Sequence, residues 1–279
     1  MENLNDNFVI KIMSELSSAN IRVFDLGHEL FEGIPQSDQH PRYQHFIPRR
    51  HGDILRGDGS SGANDLIITG THVGTHIDAL SHISSSNSLH NGISVPSAQS
   101  QKGFTSHGAE QIPPILVKGI LLDVPKMLGH KSCEPGYAIS PSDLEATINK
   151  FNLTVDSDSA VLIRTGWGSF FSDPLQFNGE KTGSPGISDE SAHWLADKKV
   201  QYVGCDTVSL DPLKLDKKNY GLPAHKTLIF DHGIYIMEAL DLEVLSSNSC
   251  FEFLFVALPL KLRGATGSPI RPIAISSTN

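Results

Sequence analysis

The chain has 279 residues, 39% of them hydrophobic and 19% charged, enough apolar material for a sizeable core without disulfide support. Its net charge is −9, from 22 basic and 31 acidic residues. With no basic run and no basic stripe interleaved with aromatics, nucleic-acid binding has no electrostatic support, and a highly anionic substrate is disfavoured.

In chain order, residues 8–19 are expected to form a short amphipathic helix and residues 22–26 a short strand. Residues 27–65, rich in Gly, Pro, His and Asp, read as loop or irregular hairpin. Residues 65–71 are a β-branched run, and residues 115–124 a strong strand. Ser140-Pro141-Ser142-Asp143 is a helix start, with Ser as N-cap, Pro in the first turn and an acid near the positive end of the dipole. Residues 160–164 form a strand, Ser188-Asp189-Glu190 opens a helix to about residue 199, and residues 200–204, 234–237 and 251–258 complete the strands. Strands and helices interleave in the second half, which predicts an α/β fold with βαβ-like units.

The longest apolar stretch, residues 253–260, is far too short to span a membrane. The N-terminus lacks the positive charge and apolar run of a signal peptide. Three widely separated cysteines, Cys133, Cys205 and Cys250, carry no zinc-type spacing and fit a reducing compartment. A cytoplasmic protein is expected.

The chemistry concentrates in residues 72–82, His-Val-Gly-Thr-His-Ile-Asp-Ala-Leu-Ser-His. His72, His76, Asp78 and His82 offer imidazole and carboxylate donors, the usual ligands of Zn²⁺, Mn²⁺ and similar divalent ions. The spacings are all even, so a strand would put the four on one face. It would also hold His72 and His82 roughly 33 Å apart. The segment must therefore bend, and Gly74 is the residue that tolerates the required backbone angles. The expectation is a strand ending near residues 71–74, a tight turn, and a helical start that stacks Asp78 under His82. Thr75 is a candidate to orient a neighbouring ligand by a hydrogen bond.

These residues resemble the signature of the cyclase family of metal-dependent hydrolases, which includes kynurenine formamidases and isatin hydrolases. The signature is His-x-Gly-Thr-His-x-Asp-x-Pro-x-His, and the one departure here is Leu80 in place of proline. Residues 203–212, Pro223-Ala224-His225, residues 234–238 and residues 258–271 resemble later blocks of the same family, so the likeness runs from about residue 20 to about residue 276. It implies a single swivelling β/β/α-type domain with a mixed sheet over residues 21–279, preceded by an N-terminal helical segment at residues 1–20. It implies His72, His76 and Asp78 as ligands of a Mn²⁺ or Zn²⁺ ion and His82 as catalytic acid/base. In two-metal members, His225 and Glu238 would help to hold a second ion bridged by Asp78. The interval from His225 to Glu238 is slightly longer than in the formamidases, and the isatin hydrolase-like design has one metal. A homodimer or higher homo-oligomer is the implied assembly.

The implied reaction is hydrolysis of a carbon–nitrogen bond, other than a peptide bond, by metal-activated water. His82, with an ordinary pKa of about 6.5, would move protons near neutrality. No Gly-x-Ser-x-Gly nucleophile elbow is present. Leu80 is expected to reshape the wall beside the metal, favouring a small cyclic amide, imide or lactone over an aryl formamide such as N-formylkynurenine. A non-catalytic metal- or ligand-binding protein on the same scaffold is the alternative of a different class. Phe46, Trp167 and Phe171 are candidate walls for an aromatic substrate.

Overall fold

The computed structural model describes residue 14 and residues 21–214 and 221–277. The helix expected at residues 8–19 lies outside the described residues except for residue 14. Eleven strands are used below: β1 (Ile21–Asp25), β2 (Gln44–Arg49), β3 (Asn64–Ile68), β4 (His76–Asp78), β5 (Ile115–Asp123), β6 (Ala160–Arg164), β7 (Tyr202–Cys205), β8 (Tyr235–Glu238), β9 (Glu252–Ala257), β10 (Gly267–Pro269) and β11 (Ile273–Ser277). Two helices cover one face of the sheet, α1 (Pro141–Phe151) and α2 (Asp189–Asp197).

Nine of these strands form one mixed sheet in the order β1-β11-β9-β5-β6-β7-β8-β4-β10. Its centre, β5 to β8, is parallel. The two flanks pair antiparallel, with β9 against β5 on one side and β4 against β8 on the other. Parallel neighbours require crossovers, and α1 and α2 supply them on the way into β6 and β7. Each begins as the sequence predicts. Ser140 and Asp143 make a reciprocal capping box at α1, and Ser188 caps α2 above Asp189 and Glu190. α2 ends at Asp197, slightly short of residue 199.

Alternation along the strands divides the core between the two faces of the sheet. Val161 and Ile163 face the helices, packing with Leu144, Ala192 and Leu195. Leu162 faces the other way, with Phe24, Ile77, Met237 and Phe255. All five residues of β6 are buried, as a parallel strand covered on both faces must be.

Two expectations are corrected. The chain after Gly74 does not turn helical: His76–Asp78 is a three-residue strand, paired with β8 and β10. Tertiary pairing on both sides overrides the local helical option. The apolar run that precedes the motif is extended only over Asn64–Ile68, where it forms a two-stranded hairpin with β2. The C-terminal strands β10 and β11 and the short β4 carry too little periodicity to be read from sequence. Among the described residues no helix is long and apolar enough to cross a membrane.

Candidate metal centre

The site lies where the parallel part of the sheet meets antiparallel β4. Glu238 is the last residue of β8, and the register sets it directly opposite His76 on β4. Side chains alternate along a strand, so His76 and Asp78 share one face while Ile77 enters the opposite core. The bend that brings His72 back to them occurs at Gly74, whose φ is +67°. A Cβ there would meet Leu30 Cδ2 at 2.5 Å. The sequence expectation of a glycine-dependent bend is therefore met. Thr75 Oγ1 donates to the Ala239 carbonyl at 2.6 Å and accepts from the His28 amide at 2.9 Å. It ties the bend to the end of β8 and binds no histidine ring.

Six side chains named from the sequence come together: His72, His76, Asp78, His82, His225 and Glu238. The donor atoms of five of them converge as two triads, His72–Asp78–His82 and His76–Asp78–Glu238. Asp78 belongs to both. His225 Nε2 lies 3.1 Å from Glu238 Oε1 and 3.7 Å from Asp78 Oδ2. The expected grouping of one ion on His72, His76 and Asp78 with His82 apart is not one of these triads: His82 shares a triad with His72, and His76 pairs with Glu238.

Three of the histidines are held from outside by a hydrogen bond, and in two of them an acceptor-only partner fixes the tautomer. His76 Nδ1 lies 2.8 Å from the Gly74 carbonyl. A carbonyl only accepts, so Nδ1 carries the proton and Nε2 is left as a lone-pair donor. His225 Nδ1 lies 2.6 Å from Asp211 Oδ2, which turns its Nε2 towards Glu238 Oε1. His72 Nε2 lies 2.9 Å from Thr266 Oγ1, with Nδ1 turned to Asp78 at 2.7 Å. Outward hydrogen bonds that fix ring orientation and tautomer are the support that metal-binding histidines need. Asp211 does more, since its carboxylate also accepts the amides of Ala224 and His225. Glu238 Oε1 accepts the Leu210 amide at 2.7 Å.

The donor set is suited to a cation. His76 Nε2 and Asp78 Oδ2 are buried, and neither has a hydrogen-bond partner. An unpaired buried polar atom costs about 1–3 kcal/mol. A divalent ion seated on both would remove that cost, and N/O donors of this kind suit Zn²⁺ or Mn²⁺.

Charge at the site follows from burial and neighbours. Burial works to raise the pKa of Asp78, but the charges of His82 and His72 and the His72 hydrogen bond outweigh it and hold the carboxyl well below its ordinary value. Burial likewise opposes protonation of His225, yet the Glu238 charge and the Asp211 hydrogen bond raise it well above the ordinary range. In His76 burial is again overcome, by the nearby Asp78 and Glu238 carboxylates and the hydrogen bond to the Gly74 carbonyl, for a net rise. His82 differs. Burial pushes it down to about 3, and the attraction of Asp78 does not compensate. Burial thus favours the neutral imidazole at His82, below the ordinary pKa of about 6.5 expected from the sequence.

The aromatic candidates have other occupations. Trp167 is 1% exposed and donates its indole N–H to the Phe177 carbonyl at 2.9 Å. Phe171 packs in the same cluster and stacks on His28, with ring centroids 3.6 Å apart. Phe46 is 47% exposed on the β2–β3 hairpin. Leu80 is buried in the helix-side core, so its replacement of proline is a packing feature. Sequence reasoning missed His40, whose ring centroid lies 5.5 Å from that of His72. It also assigned no role to Asp211 and Thr266. Nothing local marks these residues, because each acts on a histidine distant in the chain.

Known proteins share both sequence and architecture with this chain. The isatin hydrolase of Roseibium aggregatum is 25% identical over 221 residues, spanning 78% of this chain and 76% of that protein. The kynurenine formamidase of Bacillus cereus is 30% identical over 207 residues, 72% of this chain and 75% of the relative. The crystal structure of a novel cyclase superposes with a TM-score of 0.83 at 27% identity, covering 96% of this chain and 90% of that one. The Cyclase family model matches residues 24–212, a span that holds the His72–His82 segment, β5 to β7 and Asp211, so the chain belongs to the cyclase family.

Proposed function

We propose that this chain is a metal-dependent hydrolase that cleaves the C–N bond of a small cyclic amide or imide, in the manner of an isatin hydrolase. The observation that carries the reading is the convergence of two donor triads, with His225 alongside, in which His76 Nε2 and Asp78 Oδ2 are buried without a hydrogen-bond partner. The family relationship supports it, since the relatives named above are hydrolases of an isatin and of a formamide.

His72, His76 and Asp78 would hold the first ion, with His225 and Glu238 in reach of a second. When bound, a divalent ion supplies a Lewis acid for the carbonyl and makes water nucleophilic near neutral pH. The side chains do the rest. Asp78, ionised and shared by both triads, sets the charge of the centre. Asp211, Thr266 and the Gly74 carbonyl keep three imidazoles aimed inward. His82 is neutral, the form a general base requires. Its ring nitrogen takes a proton from the attacking water as the carbonyl carbon gains a C–O bond. It returns that proton to the leaving nitrogen as the C–N bond breaks.

The test is hydrolysis of isatin, small cyclic imides and N-formylkynurenine by protein whose metal content is measured on the same sample. Turnover that vanishes with a chelator and returns with Mn²⁺ or Zn²⁺ is expected. Turnover that survives complete metal removal would sink the proposal. Faster cleavage of the formamide than of the cyclic amides would shift the substrate class to aryl formamides.

A further inference from the structure

A cavity of about 480 Å³ is lined in part by Glu32, Gln36, Asp38, His40, Arg42 and Asn178, and it approaches the centre through His40. That volume falls in the range of small-molecule sites. His40 joins the two regions: it lines the cavity, and its ring stands 5.5 Å, centroid to centroid, from His72. The segment that carries it is firmly built. Gln36 Nε2 donates to the carbonyls of His40 and Pro41, at 3.1 and 3.3 Å. Gln36 Oε1 accepts the Tyr43 amide at 3.2 Å, and Asn178 Nδ2 donates to the Gln36 carbonyl at 2.9 Å. One side chain thus staples both arms of the turn, and a second ties it to the end of the short helix Pro174–Phe177. A wall held in this way need not be ordered on binding, which is what selective recognition requires.

The lining is mostly polar, with Ile34 and Tyr43 as its apolar members. Glu32, Asp38 and Arg42 leave the cavity with one more negative than positive charge, and Gln36, His40 and Asn178 add neutral hydrogen-bonding groups. Such a wall discriminates against hydrocarbon, which leaves its polar groups unpaired. The surplus negative charge also disfavours a substituent that is a net anion.

We propose that His40 and Arg42 form a specificity subsite: while the scissile amide sits at the Asp78 centre, the cavity takes a neutral, hydrogen-bonding substituent of the same substrate. The proposal rests on the hydrolase reading for the placement of the scissile bond, and its test separates the two.

The probes are isatins that carry methyl, carboxamide or carboxylate at one ring position, used with the metal-loaded protein. For the wild type, kcat/KM for the carboxamide is expected to exceed that for the methyl compound by about tenfold, chiefly through KM, with the carboxylate no better than methyl. In His40→Phe and Arg42→Ala the carboxamide-to-methyl ratio should fall towards one, with metal content unchanged. The same ratios are measured as Kd by calorimetry. If no compound is turned over but the variants still erase the difference in Kd, the hydrolase reading fails and the subsite stands. If the wild type shows no preference in either readout, or both variants keep it, the subsite is overturned. Loss of metal from His40→Phe would also overturn it for that residue, making His40 a support of His72.

Discussion

Glu238 and His76 face each other across the β8–β4 pairing, and the same pairing leaves His76 Nε2 3.5 Å from Glu238 Oε2 and 3.5 Å from Asp78 Oδ1. The register of two short strands therefore decides which carboxylates meet which imidazole. Slipping it by one residue would send both His76 and Asp78 to the opposite face of the sheet.

Asp78 is common to both triads and Glu238 belongs to one. Asp78→Asn should abolish metal retention after dialysis, and Glu238→Gln should weaken it without abolishing it. Metal quantification by plasma emission on the two variants checks this. Equal retention by both would contradict a shared carboxylate.

His82 is expected to be dispensable for holding metal and needed for turnover. His82→Gln should keep most of its metal and lose about two to four orders of magnitude in kcat, the range for a general acid/base. A variant with wild-type turnover would remove His82 from the reaction.

Stability should also record His82. Its folded-state pKa of about 3 lies below the ordinary 6.5. Between those values the unfolded chain binds a proton that the folded chain refuses. Stability from this residue is then fully present above pH 6.5 and is lost as pH falls towards 3, by about 1.4 kcal/mol per pH unit for one proton. In chelator-treated protein, urea midpoints measured across that window should fall more steeply for the wild type than for His82→Gln. Parallel curves would contradict the burial argument.

Asp211 positions His225 without belonging to either triad. Asp211→Asn keeps an acceptor for the helix-start amides but removes the charge that faces the ring. It should weaken metal affinity by about 10–100-fold, with a smaller effect on global stability than on metal binding. Competition with a fluorescent chelator measures the affinity, and an unchanged value would leave Asp211 a helix cap alone.

Gly267 packs against the ring of His72. A Cβ at this position would lie 2.7 Å from His72 Cε1 and 3.0 Å from the Ile77 carbonyl. The backbone cannot yield, so the ring must. Gly267→Ala should cost about 1–3 kcal/mol of stability and lower metal affinity. Calorimetric melting with and without metal tests both, and a neutral result would show that His72 has room to move.

The centre was legible in the sequence because most of it is local. His72, His76, Asp78 and His82 fall within one short segment, and the need for a bend points to Gly74. The conformation after the bend was not legible. Residues 76–78 are strand only because β8 and β10 lie on either side, and both partners are far away in the chain. His225 and Glu238 carried no local signal and were named only through the family pattern. The polar turn at residues 36–43 was read as loop, and nothing in it announced that His40 would stand beside His72. Trp167 and Phe171 show the converse case, both buried in one small cluster. Large aromatics suit both a pocket wall and a core, and burial decided for the core.

The brace on His72 has a further consequence, for the order in which the site is made. Thr266 and β10 stand almost 200 residues downstream of the histidine they support. A nascent chain emerges N-terminus first, so the whole histidine segment leaves the ribosome long before its supports exist. During synthesis the segment is a loose string of ligands, able to meet ions but not to select or hold one in a fixed arrangement. Closure of β10 on β4 is a long-range pairing, slow by its nature, and it turns that string into a site.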